Sequence, residues 1–168
     1  IDDAGSAVFN IGFTFNFEGI PYTQFSASSN ELMKLGPVAV TSELTNLFSS
    51  TTNTPKLAPF WNDNETGNNG GVFYELQGVA GSQRLVVEWQ HIIGFSNAPT
   101  TNTCQVVIYE GSGVIEFRYG VGLDGGTESV GIGGALVANF VSVTTSAGSG
   151  TASTVLANNN NTVWPGSG

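Results

Sequence analysis

Chemistry in a protein starts with groups that can titrate, attack or ligate, and here they are few. The chain has one histidine, His91, and one cysteine, Cys104. A nucleophilic triad or a cysteine–histidine pair needs a base within reach of the nucleophile and a third group to orient it. His91 falls in phase with Leu85, Val87 and Trp89 on one face of a strand pattern. Its expected place is therefore the core or a strand end, with its ring satisfied by a hydrogen bond. Cys104 lies beside Val106 and Val107 and reads as a buried, inert thiol. Two soft ligands do not make a protein zinc site.

Hard-cation chemistry has one better candidate. The segment Trp61–Gly71 sets Asp63, Glu65 and Asn68 among asparagines and glycines. Oxygen ligands at alternating positions, with glycine relieving a sharp turn, suit calcium. The spacing is not that of an EF-hand, and a solvated hairpin loop explains the same residues. Asp2-Asp3 and Asp124-Gly125-Gly126 read as a terminus and a turn. Nothing places two carboxylates across a cleft, as a glycosidase requires. Trp61 and Trp89, with Tyr22, Tyr74, Tyr109 and Tyr119, could stack on sugars, although such aromatics are more often core. Asn64-Glu65-Thr66 and Asn160-Asn161-Thr162 match the short N-glycosylation pattern.

The elements that must position these groups are strands. From Phe9 to Phe17 the odd positions are Phe, Ile, Phe, Phe and Phe, and the even ones are polar or glycine. That is the period-two signature of a half-buried antiparallel strand. Tyr22–Ala27 follows as a hairpin partner. Arg84–Ile93, Thr103–Glu110 and Val114–Tyr119 read as a meander, with Arg84, Glu88, Glu116 and Arg118 facing out and able to pair across strands. Shorter strands are expected at Glu31–Leu35, Leu57–Trp61, Gly71–Leu76, Ser129–Gly133 and Phe140–Thr145. Ala152–Leu156 and Thr162–Trp164 add to these in the tail. A helical turn is expected only at Thr41–Phe48. The pattern is an all-β, antiparallel sandwich of about ten short strands. It forms one domain over 1–168, with its core in 8–145 and a Ser/Thr/Asn/Gly-rich tail from 146.

Composition bounds the partners. Thirteen acids oppose four bases, for a net charge of −9. Lys34, Lys56, Arg84 and Arg118 make no basic footprint, so nucleic acid is excluded and anionic membrane surfaces are disfavoured. No apolar run reaches a membrane span. Charged residues are only 10 % of the chain, which fits a hydroxyl- and amide-solvated extracellular surface. A single cysteine forbids an intrachain disulfide; that suits a reducing compartment, but also bacterial surface domains whose cores suffice. No signal peptide precedes Ile1, so the chain reads as a processed product or an excised piece.

Five blocks together resemble a known family. They are Ile11–Phe17 with Tyr22–Phe25 and Ser28-Ser29-Asn30; Leu57-Ala58-Pro59-Phe60-Trp61 with Asp63; Arg84–Trp89; Gln105–Glu110 with Ile115–Gly120; and Val130-Gly131-Ile132. In this order they are similar to a β-sandwich module of long secreted and surface proteins of Bacteroidetes-type bacteria, distantly nidogen-like. The resemblance covers residues 8–133. It implies an extracellular or cell-surface location beside adhesive modules, and it implies no catalytic residues. The similar modules usually carry glycine after Ser-Ser-Asn, where this chain has Glu31, and an acidic pair where it has Asn62-Asp63.

The expected function is a non-enzymatic structural or adhesive module that contacts proteins, including copies of itself, with no cofactor. The tail, with Thr151, Thr154, Val155, Leu156, Val163 and Trp164, is the candidate for a strand donated to a neighbour's sheet. The alternative is a carbohydrate-binding module, assisted by calcium at Asp63, Glu65 and Asn68.

Overall fold

The computed structural model describes residues 1–95, 101–120, 128–146 and 149–155. Among them the chain forms eleven strands and no helix. A seven-stranded sheet takes β1 (Phe9–Phe17), β2 (Ile20–Ser28), β3 (Leu32–Leu35), β4 (Lys56–Trp61), β9 (Ser129–Gly133), β10 (Phe140–Ser146) and β11 (Ser149–Ser153), in the order β1-β2-β3-β4-β9-β10-β11. A four-stranded sheet takes β5 (Asn64–Gln77), β6 (Arg84–Gly94), β7 (Asn102–Tyr109) and β8 (Ile115–Tyr119), in chain order. Every pairing is antiparallel. The two sheets face each other across one core, an antiparallel β-sandwich as the alternation implies.

β1 shows how the pattern becomes structure. Ile11, Phe13 and Phe15 point into the core and the residues between them are exposed. Glu18 and Gly19, both with positive φ, turn the chain into β2. Two residues in that conformation match the twist of the flanking strands. Across the core Trp89 is wholly buried, and its indole N–H donates to the Ser28 carbonyl at 2.7 Å. One side chain thus packs between the sheets and also bonds the end of β2. Burial of an aromatic side chain of this kind contributes about 1.5–3 kcal/mol.

The connection from β3 to β4 lies on the outer face of the larger sheet. Val40 and Phe48 cover Leu32, Ala58 and Trp61 there, a second cluster behind the main core. The helical turn expected at Thr41–Phe48 does not form. Its polar groups are committed elsewhere: the Val40 and Thr41 N–H groups donate to Ser26 Oγ and Asn53 Oδ1, and the Glu43 carbonyl accepts from Trp61 Nε1. Side chains that satisfy the backbone in this way outcompete a helix. Lys56 is buried against this segment, donating to the Leu47 carbonyl at 3.0 Å and lying 3.7 Å from Glu43.

Three strand readings change; in the tail, the strand expected at Ala152–Leu156 is β11, Ser149–Ser153. The segment expected as a polar loop before Gly71 is the first half of β5, which runs from Asn64 with a register shift between Thr66 and Gly71. Facing it, β6 shifts register between Trp89 and Ile92. His91 takes the extra position with φ 51 and is exposed, and Ile92, not Ile93, continues the core face. A Cβ at Gly70 would meet the His91 carbonyl at 2.5 Å. Glycine on β5 is therefore what lets the bulge on β6 approach.

Candidate functional site

One corner of the sandwich gathers acidic groups from distant parts of the chain. Asp2 bridges to Glu65 across the start of β5, and Ala4 N–H bonds Ser29 Oγ. These contacts bring Asp2 and Asp3 to Asp63, with one carboxylate oxygen from each inside a 4.8 Å span. Burial raises the pKa of Asp63, and the charges of Asp3, Asp2 and Glu65 raise it further. The trio offers hard oxygen donors of the sort calcium takes. Of the residues expected at a calcium loop, Asp63 belongs to this trio. Glu65 acts on it only as a nearby charge, and the Asn68 side chain lies outside the described residues. Local spacing makes Asp2 and Asp3 a terminus, because nothing in it joins them to a residue sixty positions on.

Beneath this corner lies a buried polar network. Asn30 donates to Asp3 Oδ1 at 3.0 Å and accepts the Asn64 N–H at 3.0 Å. Asn64 Nδ2 donates to Glu31 Oε2 at 2.7 Å, and the Cys104 thiol donates to Glu31 Oε1 at 3.1 Å. Glu31 is wholly buried, with φ 57. Burial raises its pKa to about 8, against the opposing hydrogen bond from Cys104 and with the help of nearby Glu128. Cys104 is buried as expected, and burial with the Glu31 carboxyl pushes its thiol well up, so it stays protonated and unreactive. Asn64 is buried and bonded, so the Asn64-Glu65-Thr66 glycosylation pattern presents no acceptor.

The other candidates separate. His91 is exposed on its bulge, with Nδ1 3.4 Å from the Asn69 carbonyl, and Cys104 is in the core. The sole histidine and sole cysteine therefore do not meet. The expected aromatic platform is dispersed. Trp61 and Trp89 are wholly buried, Tyr119 bonds the Pro59 carbonyl from the core, and Tyr74 packs on Phe9 and Phe25. Outward Glu116 pairs with Arg118 along its own strand at 2.9 Å, and Arg84 bonds Gln77, instead of the charges pairing across strands. Asp124-Gly125-Gly126, Asn160-Asn161-Thr162 and the strand expected at 162–164 lie outside the described residues.

A second region is apolar. β8 ends the four-stranded sheet, and all five of its residues are half-buried although Ile115 and Phe117 face the core. Ile115 and Phe117 line a hollow of about 180 Å³ with Ile132 and Val141. A neighbouring hollow of about 380 Å³ shares Ile132 and Val141 and adds Phe17, Phe140 and Thr154. Together they form a lateral seam where solvent reaches core side chains. Of the expected donated strand, Thr151 is in β11, paired with Thr144. Thr154 lines the seam and Val155 is 83 % exposed. Leu156, Val163 and Trp164 lie outside the described residues.

A family model described as NIDO related matches residues 1–168. No curated protein and no solved structure matches the chain.

Proposed function

The chain belongs to the NIDO-related family, and from that premise we propose that it is a non-enzymatic extracellular module that makes protein–protein contacts. Nidogen-related domains are typically extracellular. Among the described residues no helix is long and apolar enough to cross a membrane, which says nothing about β-barrels. The observation that carries the reading is the seam beside β8. A sandwich that works alone gains by closing its sides, yet here Val141 is 39 % exposed, and Ile115 and Phe117 are only half-buried. An edge strand beside an apolar hollow suits strand addition: backbone pairing gives affinity and alternate side chains fill the pockets.

The occupant proposed is the tail of a second copy. The chain passes the seam at Thr154, and Val155 is turned to solvent and not to its own core. Leu156, Val163 and Trp164 follow as apolar side chains. Tail to seam is a head-to-tail contact, which builds an open filament unless the rotation closes. Light scattering across a concentration series, with negative-stain microscopy, tests this. Mass growing with concentration is expected, with loss of growth on Val141→Lys and on deletion of 155–168. A monomer at every concentration, or growth untouched by both changes, overturns the reading.

A further inference from the structure

The outer face of the four-stranded sheet is ordered in a way that protein-contact edges do not require. We infer that this face is a binding site for neutral saccharides, centred on Phe73, Glu88 and Gln105.

The register sets the grid. One row across the sheet reads Phe73, Glu88, Gln105, Arg118, and the next reads Glu75, Val86, Val107, Glu116. Val86 and Val107 form an apolar floor, and polar side chains surround it. Those side chains are tied to each other. Glu88 takes one amide N–H on each carboxylate oxygen, from Gln90 at 2.6 Å and from Gln105 at 2.7 Å. Gln77 donates to Glu75 at 2.6 Å and accepts from Arg84 at 2.9 Å. Arg118 grips Glu116 through two nitrogens and also donates to the Tyr109 hydroxyl. Polar side chains on a free surface ordinarily point into water, and ordering them costs rotamer entropy. Here the planar amides, carboxylates and guanidinium are already fixed, so a ligand would not have to order them.

Three features select the ligand. Carboxylate acceptors lie among amide and guanidinium donors on the grid, and a sugar hydroxyl is both donor and acceptor. Charge nearly cancels: Glu75, Glu88 and Glu116 oppose Arg84 and Arg118, leaving one net negative charge on the face of a chain that carries −9. That balance favours a neutral partner over a polyanion or a strongly basic peptide. Phe73 supplies an apolar surface. It is 54 % exposed, and its ring leans along the strand over Gly71, where a Cβ would meet Cζ at 2.9 Å. A ring lying over the sheet offers its face to the C–H side of a pyranose, and the adjoining groove of about 200 Å³ also reaches Glu88 and Gln105.

The test is affinity electrophoresis of the full chain through gels holding glucans, mannans, galactans or xylans, followed by calorimetry with oligosaccharides of whichever retards it. Retardation by at least one neutral polysaccharide is expected. Phe73→Ala should weaken it about tenfold and Gln105→Ala about three- to tenfold, with both variants melting like the parent because neither side chain is in the core. Val38→Ser, exposed on the connection from β3 to β4, should leave it unchanged. No retardation by any of the four, retardation that survives Phe73→Ala, or retardation only by anionic polysaccharides overturns the assignment. Loss of a protein contact and not of sugar binding on Phe73→Ala overturns it too.

Discussion

Replacing Glu31 by glutamine should remove most of the pH dependence of this protein's stability between pH 5 and 8. Glu31 is wholly buried. Asn64 faces it from β5, Cys104 from β7, and Glu128 adds a like charge from the residue before β9. Tyr119 of β8 is close enough that Glu31 helps push its hydroxyl up, and Glu88 acts on Cys104. The folded pKa of Glu31 is raised, from 4.5 to about 8. The folded chain therefore holds a proton that the unfolded chain releases above 4.5. Its stabilising effect is complete below pH 4.5, falls as pH rises, and is gone above about 8. At about 1.36 kcal/mol per pH unit the ceiling is about 5 kcal/mol. Local opening of the corner to water should limit the observed loss to about 2–3 kcal/mol. Glu116, lowered to about 2 by hydrogen bonds from Arg118 and Tyr109, has the opposite sign, and its window lies below 4.5. Urea unfolding at pH 5, 6, 7 and 8 reads the effect as a falling midpoint at constant m. In Glu31→Gln the line should be flat. The variant should be about 1 kcal/mol weaker at pH 5, where an amide NH2, which cannot accept, replaces the hydroxyl of the protonated carboxyl, and more stable than the parent at pH 8. Parallel lines for the two proteins would refute the reasoning.

Substitutions at two positions test other parts of the architecture. His91→Gly should change stability by less than about 0.5 kcal/mol, because relief of the positive φ offsets glycine's added unfolded-state entropy, and His91→Val should cost about 1–2 kcal/mol. A loss above about 2 kcal/mol for the glycine variant, by thermal melt, would place the ring in the core. Lys56→Met leaves Glu43 buried without its ammonium, which should cost about 3–5 kcal/mol and lower the melting midpoint by about 10 °C. A drop under about 3 °C would show that the ion pair does not hold the connection between β3 and β4.

The strands were legible because burial on one face writes itself at period two. Phe9–Phe17 alternates without a break, and β1 has those ends. The β1 ladder slips between Asn10 and Phe15 without disturbing that alternation, but the slip in β6 does disturb it. The alternation Leu85, Val87, Trp89 carries the eye to His91, but one inserted residue moves the core face to Ile92. A second slip, of β5 against β6 between Thr66 and Gly71, explains why Asn64–Gly70 reads as a loop. Its glycines mark not a turn but the close passage of β5 over the His91 carbonyl. Composition reports that a side chain is missing there, not what backbone fills the space.

The candidate site was less legible, for a different reason. Its contacts join residues with no local relation: Asp3 to Asn30, Asn30 to Asn64, Asn64 to Glu31, Glu31 to Cys104. The one signal was Glu31 itself, a glutamate where similar modules carry glycine. Its φ of 57 explains the glycine: the backbone there is left-handed. Glutamate at such a position bears strain and desolvation that an idle side chain would not repay. What it supplies is an acceptor for donors on β5 and β7, the strands on either side of β6 in the smaller sheet, held from the turn between β2 and β3 of the larger one. The chain of bonds then runs on to Asp3, which shares the acidic corner with Asp63. Asn30, with the backbone and side chain of Asn64, thus ties that corner and Glu31 into one run of hydrogen bonds across the joint between the sheets.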